Sequence, residues 1–220
     1  MAAVLVGTSI FAAGGFPAAA LLLAFFISSS LLSRLQQRRD HEPRNALQVL
    51  ANGGVAAGCI ILANRYGMAW QTAFVGALAA ATADTWGTEI GTRFGGTPRS
   101  VVGGQPLARG LSGGMTVFGT LAEVVAAICI ASLAYILSGR PFVVVSIAGI
   151  AGALSDSLFG ATVQARYRCR TCSDDCETPI HACGQRAALV RGAYWVTNDM
   201  VNLLATLIGA GTALLLARAF

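Results

Sequence analysis

MAAVLVGTSIFAAGGFPAAALLLAFFISSSLLSRL, residues 1–35, carries no charged side chain before Arg34. Crossing about 30 Å of hydrocarbon takes roughly 20 apolar residues in a helix, so this block is too long for one upright span. The run Gly14-Gly15-Phe16-Pro17 interrupts it. We read an apolar piece over 1–13, either a half-helix or the remnant of a longer segment, then a break and a span over 17–35. No basic n-region precedes the apolar run and no small-residue cleavage site follows it, so the block reads as part of the mature chain and not as a signal peptide.

Five more stretches of similar character follow, over 46–63, 68–90, 113–137, 141–166 and 194–216. With 220 residues, 55% of them hydrophobic and 11% charged, the chain is poorly suited to water. The expected fold is all-α: a polytopic transmembrane helix bundle of about six spans, forming one domain over 1–220, with a small Cys/His loop over 167–193.

The formal net charge of +5 is carried by arginine alone, since there is no lysine. The connections after the first, third and fifth spans hold Arg34, Arg38, Arg39 and Arg44, then Arg93, Arg99 and Arg109, then Arg166, Arg168, Arg170, Arg186 and Arg191. The opposite side has Arg65, Arg140 and Arg218. The positive-inside rule therefore puts the three arginine-rich loops in the cytoplasm and the C-terminus on the other side. In a prokaryote the location would be the inner or plasma membrane. The connections at 64–67 and 138–140 are tight turns with little room for a site.

Charged groups at membrane depth are costly, and each marks a functional candidate. They are Asp84, Glu89, Glu123, Asp156 and Asp199. Asp84 and Glu89, in ATADTWGTEIG, lie near the cytoplasmic end of the third span, and Asp156 and Asp199 lie toward that end of theirs, so four carboxylates can converge at one depth. Gln48 and Asn52 share a helical face, as do Asn198 and Asn202, while Asp156, Gly160 and Gln164 form one stripe. Asp84 and Glu89 are five apart, about 140° around a helix, and can serve one site only if the helix ends or unwinds between them. Interhelical hydrogen bonding is the plain alternative for the amides.

The loop GTRFGGTPRSVVGGQPLARGLSGG (91–114) combines glycines, whose N–H groups can turn toward an anion, with Arg93, Arg99 and Arg109. Gly110, Ser112, Gly113 and Gly114 then lead into the fourth span, whose N-terminus is the positive end of its dipole. This pattern reads as a phosphate cradle, and it is neither a P-loop nor a dinucleotide fingerprint. Beside carboxylates able to hold Mg²⁺, it suits a nucleoside triphosphate.

Between the fifth and sixth spans, CRTCSDDCETPIHACG offers Cys169, Cys172, Cys176, His181 and Cys183. In a reducing compartment this spacing favours a structural Zn²⁺. The preferred set is Cys169, Cys172, His181 and Cys183, with Cys176 as the alternate. Disulfides become the better reading if the orientation is reversed. Cys59 and Cys129 read as packing residues.

GGFPAAALLLAFFISSSLLSR, RNALQVLANGG, ADTWGTEIG, GLSGGMTVFGT, SDSLFGATVQARYRC and NDMVN, in this order, resemble the integral membrane family that includes the plant phytyl-phosphate kinase of vitamin E synthesis and the animal transmembrane protein 19. The carboxylate-plus-glycine segment is distantly similar to that of the CTP-using phytol and dolichol kinases. The resemblance implies transfer of a γ-phosphoryl group, with CTP favoured, onto an isoprenoid monophosphate at the cytoplasmic face. It implies that Asp84, Glu89 and Asp199 hold Mg²⁺, with Asn198 and Asn202 completing the site and Asp156 as a second metal ligand or a bundle strut. Arg93, Arg99 and Arg109 would meet phosphates, joined by Arg44 beside Asn45, Gln48 and Asn52. Membrane lipid is the other expected partner, and nucleic acid is not one. A phosphate monoester is already anionic near neutral pH, so its attack asks for positioning and charge neutralisation more than for a base. The competing readings are a prenol kinase or CTP-dependent cytidylyltransferase on the same scaffold, and an ion or lipid transporter.

Overall fold

The computed structural model describes residues 1–35 and 45–219; Arg44, expected beside phosphate, lies outside them. The described residues form six helices: α1 (Ala2–Leu35), α2 (Ala46–Tyr66), α3 (Met68–Phe94), α4 (Val117–Ser138), α5 (Phe142–Thr162) and α6 (Asn198–Ala219). All but α3 are long and apolar enough to cross a membrane.

The exception is the axis of the bundle. Helices α2, α4, α5 and α6 pack around α3, and every residue from Thr72 to Ala83 is buried. A helix enclosed on all sides needs small side chains more than lipid-compatible ones. Gly76 lies against α6, where an added Cβ would stand 2.6 Å from the Gly209 carbonyl oxygen. Gly149 of α5 lies against Ala79 in the same way, and Gly152 against Ala80. Such backbone approach is how helices associate where no hydrophobic effect drives them together.

The outer face is the reverse. Ile61, Leu121, Ile136, Val143 and Leu215 are exposed. In water each would forgo about 1.5–3 kcal/mol of burial, whereas lipid tails take them up without penalty.

Helix α1 is two arms joined at Gly15, whose φ of 63° and ψ of −156° break the helix. A Cβ on Gly7 would lie 4.0 Å from Leu22 Cδ2, although an unbroken helix would hold these residues about 22 Å apart. The arms therefore fold back as a hairpin. The 2–14 arm runs beside α2, with Val6 against Gly53 and Ile60 against Gly14. The second arm runs beside α3, joined by Trp86 Nε1 donating to Ser28 Oγ at 3.2 Å.

Local sequence accounts for the helix ends. Asn45 and Gln48 form a reciprocal capping box at the start of α2. Gly67 turns the chain into α3, and Gly139, left-handed at φ 63°, ends α4.

Three span limits differ from the hydropathy reading; the sixth helix begins at Asn198 and not at 194, and the other two give way to strand. The fourth span was expected from residue 113, yet Gly114–Met115 is a strand, β2, paired antiparallel with β1 (Arg99–Ser100). Positive φ at Gly110 and Gly113 is incompatible with helix, and Thr116 caps α4 through its side chain. The fifth span was expected to reach 166, yet Arg166 begins β3 (Arg166–Cys169). That strand pairs with β4 (Asp175–Cys176) and β5 (Ala187–Arg191) in the order β4-β3-β5. Both small sheets lie in connections at the end of the bundle where α4 and α6 begin.

Candidate functional site

The site grows from the last third of α3. Asp84 lies beside Asp156 of α5, and Glu123 of α4 comes from the third side. Glu123 reaches this point because residue 87 is glycine: a Cβ there would stand 2.5 Å from Glu123 Cγ and 2.6 Å from its Oε1. Gly119 lets α4 close on α3, since its own Cβ would lie 2.9 Å from the Gly87 carbonyl oxygen. Asp156 is 8% exposed and Glu123 7%. Glu123 Oε2 and Asp156 Oδ2 are buried and take no hydrogen bond from any described residue. Carboxylates packed this closely repel unless a proton or a cation lies among them, and a buried oxygen without a donor is costly. Oxygen donors from three rigid helices fit Mg²⁺.

These groups open onto a cavity of about 1260 Å³. Gln48 and Asn52 of α2 and Asn198 and Asn202 of α6 line it, with Glu89 on the α1 side, where Ser33 Oγ donates to Glu89 Oε1 at 2.6 Å. Asp84 and Glu89 reach the same cavity although α3 stays helical between them. The unwinding expected there is not needed, because the space wraps around the helix. Toward α1 the wall turns apolar, with Val6, Leu22, Phe25 and Phe26. Arg34 is, among the described residues, the one basic side chain on the wall, against the carboxyls of Asp84, Glu89, Glu123, Asp156 and Glu177.

The glycine-rich loop closes the opposite side through Gly110, Ser112, Gly113 and Gly114. It is seated on α5: Gly113, at φ 79°, has room for no Cβ against the backbone of Ala161, and Gly160 in turn accommodates Ser112. Ser112 is tied on every polar atom. Its N–H donates to Glu177 Oε1 at 2.6 Å, its Oγ meets Gln164 Nε2 at 3.0 Å and Asn198 Oδ1 at 3.4 Å, and its carbonyl accepts from Arg166 Nη2 at 2.8 Å.

Several expected residues stand elsewhere. Asp199 is absent from the cavity wall that Asn198 and Asn202 line, being one residue, about 100°, round the helix from Asn198; Asp156 and Glu123 occupy the place expected for it. Arg93, Arg99 and Arg109 also lie off the wall. Arg99 donates to the Gly104 carbonyl at 2.9 Å, Arg109 to that of Gly96 at 3.0 Å, and Arg93 lies over the Phe94 ring. The first two brace the loop's own backbone. Asn45 is a helix cap and Gln164 a support for Ser112. Sequence reasoning had left Glu123, Glu177 and Arg34 without a role. Glu123 did carry a signal, as the single charged residue of its span.

Outside the membrane part, one donor atom from each of Cys169, Cys172, His181 and Cys183 lies within 4.8 Å of the others. Cys176 is apart, its thiol on the Thr178 carbonyl at 3.4 Å. The N–H groups of Cys172 and Thr171 hold the Cys169 thiol below its ordinary range, and contact with Cys183 pushes Cys172 up to about 12.

Comparison with known proteins places this geometry in a family. The profile described as integral membrane protein DUF92 matches residues 1–210. The uncharacterized membrane protein MJ0933 of Methanocaldococcus jannaschii is 32% identical over 204 residues, covering 89% of this chain and 74% of the relative. Protein PGR of Arabidopsis thaliana is 29% identical over 233 residues, covering 88% and 79%. The uncharacterized membrane protein sll0875 of Synechocystis is 25% identical over 224 residues, covering 94% and 77%. No solved structure matches.

Proposed function

This chain belongs to the DUF92 family of integral membrane proteins, and from that premise we propose that it is a kinase of isoprenoid monophosphates, using CTP and Mg²⁺ at the cytoplasmic membrane face. The observation that carries the reading is the cavity itself. One wall presents buried carboxylates from α3, α4 and α5, the facing loop presents Ser112 and its glycines, and the remaining wall is apolar. An amphiphile with an anionic head and a hydrocarbon tail has that polarity.

The charge balance of the wall also favours a divalent cation. With acidic groups outnumbering Arg34, a triphosphate would be repelled unless cations accompanied it. Asp84, Glu123 and Asp156 would hold Mg²⁺, with Glu89 nearby on the same helix as Asp84. Bound there, the ion would neutralise charge on the transferring phosphoryl oxygens. Ser112, fixed by Gln164, Arg166 and Glu177, positions the glycine loop over the phosphates. The apolar arms of α1 receive the tail. A phosphate oxygen of the isoprenoid attacks the γ-phosphorus, and its new P–O bond forms as the bond from that phosphorus to CDP breaks. No residue need remove a proton from a nucleophile that is already anionic.

The test is product identification with the full chain in nanodiscs, supplied with CTP, Mg²⁺ and a C20 prenyl monophosphate. CDP and the diphosphate, lost in Asp84→Asn, support the reading. Pyrophosphate release would make the protein a cytidylyltransferase, and phosphorylation of the free alcohol would make it a prenol kinase. Because an acid-rich cavity also suits cation passage, proteoliposome flux in a protein that never consumes nucleotide would replace the kinase reading with a transporter.

A further inference from the structure

We propose that Cys169, Cys172, His181 and Cys183 bind one zinc ion, which fixes the α5–α6 connection in the shape that delivers Glu177 to Ser112 at the cavity. The inference is independent of the phosphoryl-transfer reading.

Two turns bring the four donors together. After Cys169 ends β3, the chain reverses through Ser173 at φ 61°, and the Cys172 N–H points back to Cys169 Sγ at 3.5 Å. The second turn is closed by Gly184 at φ 80°, whose N–H donates to the His181 carbonyl at 2.8 Å. Across the two turns, the Cys169 and Cys183 sulfurs are 3.7 Å apart and His181 Nδ1 is 3.1 Å from Cys183 Sγ. A tetrahedral ion with Zn–S bonds of about 2.3 Å sets its sulfurs about 3.8 Å from one another. Three sulfurs and an imidazole are a soft set that selects zinc over the magnesium expected at the carboxylates. Four protein ligands leave no open position, so the site is structural and not catalytic.

Each thiol gives up its proton on binding, so the ion with three thiolates and a neutral imidazole carries one negative charge. The surrounding loop is rich in arginine, with Arg168, Arg170 and Arg186 close in sequence, and tolerates that charge. The loop also needs a clasp. Its strands are two to five residues long, and a sheet of that size holds poorly by itself. Between the two turns lies Glu177, whose carboxylate takes the Ser112 N–H. A metal that fixes both turns fixes Glu177, and through it the glycine loop.

The experiment uses the full chain purified in detergent through a histidine-free tag and without chelator. Elemental analysis should find one zinc per chain in the wild type and in Cys176→Ser, and less than a third of that in Cys172→Ser and Cys183→Ser. X-ray absorption at the zinc edge of the wild type needs no variant and should show three sulfurs and one nitrogen. Hydrogen exchange at residues 110–114 should rise at least tenfold when zinc is stripped. Wild-type protein that takes up no zinc, a disulfide among these cysteines, an oxygen-rich or four-sulfur shell, or equal zinc loss in Cys176→Ser would overturn the site. Unchanged exchange at 110–114 would overturn its role in placing Glu177. Neither readout depends on nucleotide turnover, so failure of the kinase reading leaves the zinc result standing, and the reverse.

Discussion

Replacing Gly87 by alanine should separate catalysis from folding. The new Cβ would stand 2.5 Å from Glu123 Cγ, where ordinary van der Waals contact begins near 3.4 Å, so the glutamate must give way by about 1 Å. What it strikes is a side chain and not backbone, so the helices need not part. The overpacking costs about 1–3 kcal/mol, offset by the roughly 1 kcal/mol that alanine gains over glycine in a helix, which leaves a cost to folding of about 0–2 kcal/mol. The carboxylate, however, leaves its position opposite Asp84 and Asp156. A ligand shell disturbed on that scale loses roughly 10–100-fold in metal affinity, equal to about 1.4–2.7 kcal/mol at 1.36 kcal/mol per tenfold. The assay is nucleotide turnover in nanodiscs against Mg²⁺ concentration, with Mn²⁺ binding read by EPR and stability by unfolding in mixed SDS micelles. The expected result is half-saturating Mg²⁺ raised roughly 10–100-fold with stability lowered by no more than about 2 kcal/mol. Wild-type Mg²⁺ dependence, or a loss of stability beyond that limit, would refute the role given to Glu123.

Asp156→Asn should abolish Mg²⁺-dependent turnover by at least 100-fold, while Asp199→Asn, off the cavity wall, should change it less than threefold; steady-state rates at saturating CTP distinguish the two. Gly113→Ala should raise the nucleotide KM at least tenfold, because its Cβ falls on the Ala161 backbone, which cannot yield. Gly104→Ala, also at positive φ but in open space, should cost only about 1–2 kcal/mol of local strain and leave KM unchanged. Thr206→Val removes a hydroxyl that reaches the Ala51 carbonyl at 3.0 Å across the α2–α6 contact and should lower stability in SDS unfolding by about 0.6–1.7 kcal/mol.

Hydropathy was sufficient to read most of the bundle, because apolar length is a property of single segments. What it missed depends on where two segments meet. The break at Gly14–Pro17 is plain in the residues, but the direction in which the chain turns there depends on Gly7, Leu22, Gly53 and Ile60 coming together. Asp84, Glu89, Asn198 and Asn202 could be chosen as site residues because each clusters with other polar residues at a span end. Glu123 stands alone in an apolar helix, which marks it as a candidate, but it owes its place to Gly87 on another helix, so no local pattern says which groups it meets. The arginines of 91–114 misled for the opposite reason: guanidinium next to glycine suggests a phosphate cradle, yet Arg99 and Arg109 are occupied by carbonyls of their own loop. Glu177 was hidden inside a motif dominated by cysteines.

The enclosed position of α3 bears on how the protein is made. Helices leave the ribosome in order, and α3 emerges before α4, α5 and α6, which supply most of its surroundings. It carries Asp84, Glu89 and Arg93, each opposed by a few kcal/mol when a lone helix partitions into lipid. Until its later neighbours arrive, the segment that organises the finished bundle is therefore its least contented resident in the bilayer. A nascent chain stopped after residue 94 should remain beside the insertion machinery, and release should await the C-terminal half.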